Sequence, residues 1–192
     1  MYLKRILLAL LLIAPGLVHA DTKLGHDEIE SLLGVKIRFA QHMAFNPSII
    51  RAVEQQNAQK LALGEIKQRD EAWKGAGDNL IPLIRETTSN DVAQYFQRRV
   101  EHNQAIDEVF LTDNQGANVA AYPATSDYWQ GDEEKWTASF NNGKGVVFIG
   151  PLEFDDSTGK TQVQISAPVY ANNKTIGVIV LGVSVDYLQG KQ

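Results

Sequence analysis

The chain contains no cysteine, which excludes disulfide bridges, thiolate metal sites and covalent haem attachment together. Histidine is scarce as well, and His19, His26, His42 and His102 form no paired zinc-binding pattern. Asp155-Asp156 lacks the alternating acids of a calcium loop. There is no Gly-x-Ser-x-Gly elbow, no phosphate-cradling glycine loop and no thiol nucleophile, so the chain reads as a non-enzyme without cofactor or metal. An excess of basic residues is missing too: 18 Lys and Arg stand against 23 Asp and Glu, a balance that disfavours nucleic acid.

Long apolar runs are the last absence. The run from Ile6 to Val18 is broken by Pro15 and Gly16 and is shorter than the roughly 20 residues that cross a bilayer. Lys4 and Arg5 precede it and Val18-His19-Ala20 follows, the pattern of a secretory signal peptide cleaved after Ala20, with a retained anchor as the alternative. Residues 1–20 are therefore read as a leader and residues 21–192 as one exported, periplasmic domain. Loss of Lys4 and Arg5 lowers the basic residues from 18 to 16 against 23 acids, a formal charge of −7. The second apolar run, Ile176 to Val185, stops at Asp186 and suits a strand covered on both faces.

Residues 21–104 read as helical. Ile29, Leu33, Ile37, Ala40 and Ala44 fall on one stripe of a long first helix. Asn46-Pro47 supplies a cap and a first-turn proline for a second helix. Leu63, Ile66 and Trp73 mark a third that Gly75-Ala-Gly77 ends, and Val92, Phe96 and Val100 mark a fourth.

Residues 105–188 change period. Ile106–Thr112 and Ala117–Tyr122 form a hairpin about Asp113-Asn-Gln-Gly116, and Val146–Ile149, Lys160–Tyr170 and Thr175–Tyr187 complete five strands. The last, apolar almost throughout, belongs at the middle of the sheet. Lys160–Tyr170 alternates, with Val163, Ile165, Ala167 and Val169 on one side and Gln162, Gln164, Ser166 and Tyr170 on the other. Helices followed by an antiparallel sheet make an α+β fold. Between the second and third strands lies an aromatic and acidic insert, Thr125 to Trp136, and such loops on a rigid scaffold commonly hold binding residues.

This order, with Asp113-Asn-Gln-Gly116, Ser126-Asp-Tyr-Trp-Gln-Gly-Asp-Glu133 followed by Trp136, and Ser166-Ala-Pro168 leading to Ile176-Gly-Val178, resembles the single Cache domains, the extracytoplasmic PAS-like (PDC) sensor family. The resemblance covers residues 21–192 and implies a long N-terminal helix and further helices packed on a five-stranded antiparallel sheet. It implies binding of a small organic ligand, such as a carboxylate, amino acid or amine. It places the ligand under a roof of Tyr128, Trp129, Asp132 and Trp136 and over a floor of Phe148, Gln164, Ser166 and Tyr170, with Tyr122 at the end of the second strand. Asp132 either completes a cationic site or caps the helix that carries Trp136. Arg98, Arg99, His102 and Lys144 are the nearby donors for an acid. With no kinase, cyclase or chemoreceptor part in the sequence, the signal would pass to a separate membrane receptor, kinase or transporter, with a homodimer through the first helix as a further possibility. The rival reading is a non-catalytic interaction subunit of a periplasmic receptor or transport complex, its pocket filled by its own side chains.

Overall fold

The computed structural model describes residues 26–77, 79–155 and 158–188, with side chains in the first helix from Leu33. The expected leader and its cleavage site lie outside the described residues. Five helices come first: α1 (His26–Ala44), α2 (Pro47–Ala58), α3 (Leu63–Ala76), α4 (Pro82–Ser89) and α5 (Asp91–Glu101). Strands β1 (Ile106–Thr112) and β2 (Asn118–Tyr122), helix α6 (Glu134–Phe140), strands β3 (Phe148–Asp155), β4 (Lys160–Ala171) and β5 (Lys174–Ser184), and a final turn α7 (Val185–Leu188) follow.

All strand pairs are antiparallel, and the sheet runs β2-β1-β5-β4-β3. The apolar β5 is central, as its composition predicts. The period of two decides what each face does. Val163, Ile165, Ala167 and Val169 of β4 join Ile179, Leu181 and Val183 of β5 in one apolar core, against which α1, α2 and α5 pack through Leu33, Met43, Ile49, Val53 and Phe96. The opposite face carries Phe110, Val178 and Val180 beneath α6.

Local chemistry fixes the helix ends. The Asn46 side chain accepts the Ser48 N–H at 2.9 Å ahead of Pro47, and Asn90 accepts the Ala93 N–H at 2.9 Å to start α5. Helix α4 is short and rich in Thr and Ser, and it escapes a reading by apolar stripe. Strand β3 extends to Asp155 although Gly150-Pro151 reads as a break, because the register shifts between Ile149 and Leu152 and the strand lies at the sheet edge.

Leu33 is fully buried and Ile37 packs against the same core, so this part of the α1 stripe is occupied by the chain's own sheet. No helix among the described residues is long and apolar enough to cross a membrane.

Phe96 is fully enclosed between α5 and the sheet. Phe96→Ala is expected to destabilise the domain by about 3–5 kcal/mol, read as a lowered denaturant midpoint with an unchanged slope.

Candidate functional site

The insert between β2 and β3 is fastened down before it reaches α6. Asp70 on α3, itself buried, accepts the backbone N–H groups of Tyr128 and Trp129 at 2.9 and 3.0 Å and pairs with Lys74 at 2.6 Å. Trp73 donates its ring N–H to the Thr125 carbonyl at 2.8 Å, and the Asn118 amide donates to Thr125 Oγ1 and the Asp127 carbonyl. On the other side the insert lies along the β1–β2 turn: Ala117 bridges Trp129, and the Gln130 N–H donates to the Gly116 carbonyl at 2.8 Å. Gly116 and Gly131 meet there so closely that a Cβ on either would collide with the other segment.

These contacts consume most of the aromatic rings. Tyr128 is 1% exposed and lies 5.8 Å from the Trp73 ring in a second apolar cluster with Ile66 and Ile84. Trp129 donates its ring N–H to the Gln115 carbonyl at 2.8 Å, and its face carries the Lys67 ammonium at 4.7 Å. That ring face is thus taken by a cation of the chain itself. Trp136 stacks on Phe140 at 4.7 Å against Phe110, Ala121, Val178 and Val180, and it donates to the Asp113 carbonyl at 3.3 Å.

Beside that stack the sheet face stays open. A cleft of about 250 Å³ lies between the start of α6 and strands β3 and β4. Its rim bears Glu133, Glu134 and Lys135 from the α6 end and Glu153, Phe154 and Asp155 from β3. Phe148, Gly150, Gln162 and Gln164 form its floor, with Ser126 at one side.

One sheet rung builds the deepest part of that floor. Glu108 on β1 and Gln164 on β4 both pair with Gly182 of the intervening β5. Because Gly182 has no side chain, Gln164 reaches over the central strand and donates to Glu108 Oε1 at 2.8 Å, joined by Gln162 at 2.5 Å. A Cβ on Gly182 would strike Gln162 Oε1 and the Glu108 side chain. Burial, and then the negative charge of Asp155, push the Glu108 carboxyl up to about 7, against the opposing pull of Gln164, Lys135 and Gln162.

Of the nine residues singled out by sequence, Phe148 and Gln164 line the cleft. Ser166 is on the same face but fully buried, and its hydroxyl has no hydrogen-bond partner among the described residues. Tyr170 donates to the Gly145 carbonyl at 3.1 Å and Tyr122 to Glu101 at 3.1 Å, both away from the cleft. Asp132 is exposed, and the residue preceding α6 is Glu133, so Asp132 does not cap that helix. Tyr128, Trp129 and Trp136 serve as packing and anchorage, as described. Of the candidate donors for an acid, Arg99 lies over the Tyr95 ring at 4.7 Å, on the helical side. Glu108, Glu153 and Asp155 were not among the expected site residues, and Gln162 was placed on the polar side of β4 without being assigned to the site. The signal for Glu108 was a pair of acids, Asp107 and Glu108, at the start of a strand that is otherwise apolar up to Leu111, with Glu108 opposite a glycine.

Two expectations follow. Asp70→Ala removes the acceptor of two backbone N–H groups and should cost about 2–3 kcal/mol, with a red shift of tryptophan emission as the Trp129 segment loosens. Glu108 is charged at a higher pH in the fold than near its ordinary value of 4.5, so the folded state retains a proton there that the unfolded chain releases. Its contribution to stability therefore falls as pH rises from about 4.5 to about 7. Asp127, pushed up to about 6 by burial and the Asp70 charge, acts with the same sign. Glu108→Gln should flatten the loss of denaturant midpoint between pH 5.5 and 7.5.

No family model matches the chain, and no curated protein does. Among solved structures, the chain is similar to the sensory domain of the Campylobacter jejuni chemoreceptor Tlp3 with isoleucine bound, at 15% identity and a TM-score of 0.42, covering 88% of this chain and 67% of that one. It is also similar to the sensor domain of the V. cholerae histidine kinase DctB, at 17% identity and a TM-score of 0.41, covering 86% of this chain and 58% of that one. A third likeness, to an extracellular ligand binding receptor from Desulfohalobium retbaense, has 14% identity and a TM-score of 0.41 and spans 26% of that chain. Likenesses this distant carry no weight for what the cleft binds, which rests on the geometry of α6, β1, β3 and β4.

Proposed function

We infer that this chain is an exported, non-catalytic Cache-type sensor domain that binds a small organic amine in the cleft beneath α6 and passes the signal to a separate membrane partner. The observation that supports this most is the charge around the cleft. Among the described residues, Glu133, Glu134, Glu153 and Asp155 line it against one cation, Lys135, with Glu108 behind Gln164. Of the ligand classes that the resemblance allows, carboxylates would meet repulsion from these acids, while an ammonium group gains charge-assisted hydrogen bonds.

The volume of about 250 Å³ falls below the drug-sized range of about 300–1,000 Å³, which suits a metabolite of few atoms. A six-atom amine has a ceiling near −9 kcal/mol, in the micromolar range before ordering costs.

A route for the signal is built into β4. Gln164 faces the cleft while its neighbours Val163 and Ile165 face the core on which α1 packs. A ligand that draws Gln164 toward itself therefore bears on α1 through adjacent residues of one strand. A coupling of about 1–3 kcal/mol suffices for a usable response.

The rival reading, an interaction subunit without a ligand, draws on the stacked Trp136 and Phe140, which fill the neighbouring part of the same face. A thermal-shift screen of primary and quaternary amines beside matched carboxylates separates the two. Amines are expected to raise the melting temperature of the wild type and to do so at least tenfold less effectively in Glu134→Lys/Glu153→Lys. Silence of every amine, or equal response of the charge-reversed variant, would remove the amine reading, and silence of all compounds would favour the interaction subunit.

A further inference from the structure

A larger cavity, of about 690 Å³, lies on the other side of the sheet and shares no lining residue with the amine cleft. It is a groove between α2 and the α4–α5 corner, floored by Asn118, Val119 and Tyr128 and closed at one end by Arg69.

Both walls are pinned from behind. Ile49 and Val53 hold α2 in the main core, and Ile84 holds α4 in the second cluster. The floor is fixed by saturated bonds: the Gln56 amide donates to the carbonyls of Ala117 and Asn118, and the Asn90 amide donates to the Val119 carbonyl at 3.0 Å. The groove therefore does not depend on an occupant to keep its shape.

What α2 presents to the groove is regular. Arg51, Gln55 and Gln59 are exposed, line it at successive turns, and none of their side chains has a partner among the described residues. Four helical residues rise about 6 Å, close to the roughly 6.6–6.8 Å that two residues of an extended chain span. A peptide lying along α2 thus meets a side-chain donor or acceptor at about every second residue. Arg51 to Gln59 covers about 12 Å, the length of four extended residues. The facing wall supplies Glu86 and Asp91, also without side-chain partners among the described residues, so a peptide in the groove meets a cation on α2 and acids across from it.

We propose that the groove between α2 and the α4–α5 corner is a second binding site, for an extended peptide of about four residues with free termini. Recognition rests on the amides of Gln55 and Gln59 along the backbone, on Arg51 at the carboxylate and on Glu86 and Asp91 at the ammonium.

The test uses tetra-alanine, which offers termini and backbone without side chains, followed by amide chemical shifts of the whole domain. Free tetra-alanine is expected to shift signals of α2, α4 and Tyr128, and acetylated, amidated tetra-alanine and single alanine are expected to bind at least tenfold more weakly. Arg51→Glu and Gln55→Ala/Gln59→Ala lie on an exposed helix face and should fold normally by circular dichroism while weakening the peptide at least tenfold. Glu134→Lys/Glu153→Lys, in the amine cleft, should leave the peptide unaffected. Absence of shifts at millimolar tetra-alanine, undiminished binding in the α2 variants, or loss of binding in the cleft variant would overturn the proposal, whatever becomes of the amine cleft.

Discussion

Strand β5 is covered on both faces, and from that one constraint the division of labour in the molecule follows. Its odd-numbered apolar residues Ile179, Leu181 and Val183 belong to the core shared with α1, α2 and α5, while Val178 and Val180 belong to the face beneath α6. A strand so placed cannot slip by one residue without exchanging the two sets. Its neighbours are bound to the same register, and so β4 turns Val163 and Ile165 inward and Gln162 and Gln164 outward. The cleft floor is the polar remainder of a pattern fixed by apolar burial.

Within that pattern Gly182 is the exception that makes chemistry. A side chain at the centre of the rung would separate Glu108 from the two glutamines, whereas its absence lets two amides converge on one carboxylate oxygen. An acid enclosed in this way resists ionisation, so the Glu108 carboxyl behind the cleft floor is pushed up to about 7.

The helical front, the five strands, the central position of the last and the alternation of β4 were legible because burial imposes periods of 3.6 and 2 on sequence. Helix α4 was hidden because it is eight residues long, and the continuation of β3 because an edge bulge accommodates Gly150-Pro151. The candidate site was legible in part. Alternation put Gln164 on the polar side of β4 and the family resemblance named Phe148, and both line the cleft, whereas the rings of the aromatic insert are packed. Residues rich in surface and ring N–H groups serve equally to line a cavity or to fill one, and only the Asp70 anchor and the stack of Trp136 on Phe140 decide for filling here. Glu108 was not legible because its role depends on β4 and β5, which are remote from β1 in sequence.

Three consecutive residues of the insert look in different directions: Ser126 borders the cleft, Tyr128 floors the groove, and Asp127 between them is tied to Lys74 and Gln130. The two chambers therefore share a party wall one residue thick. A guest that stiffened that wall from one room would spend part of the disorder that a guest in the other would have to remove, a coupling that needs no hinge or moving domain.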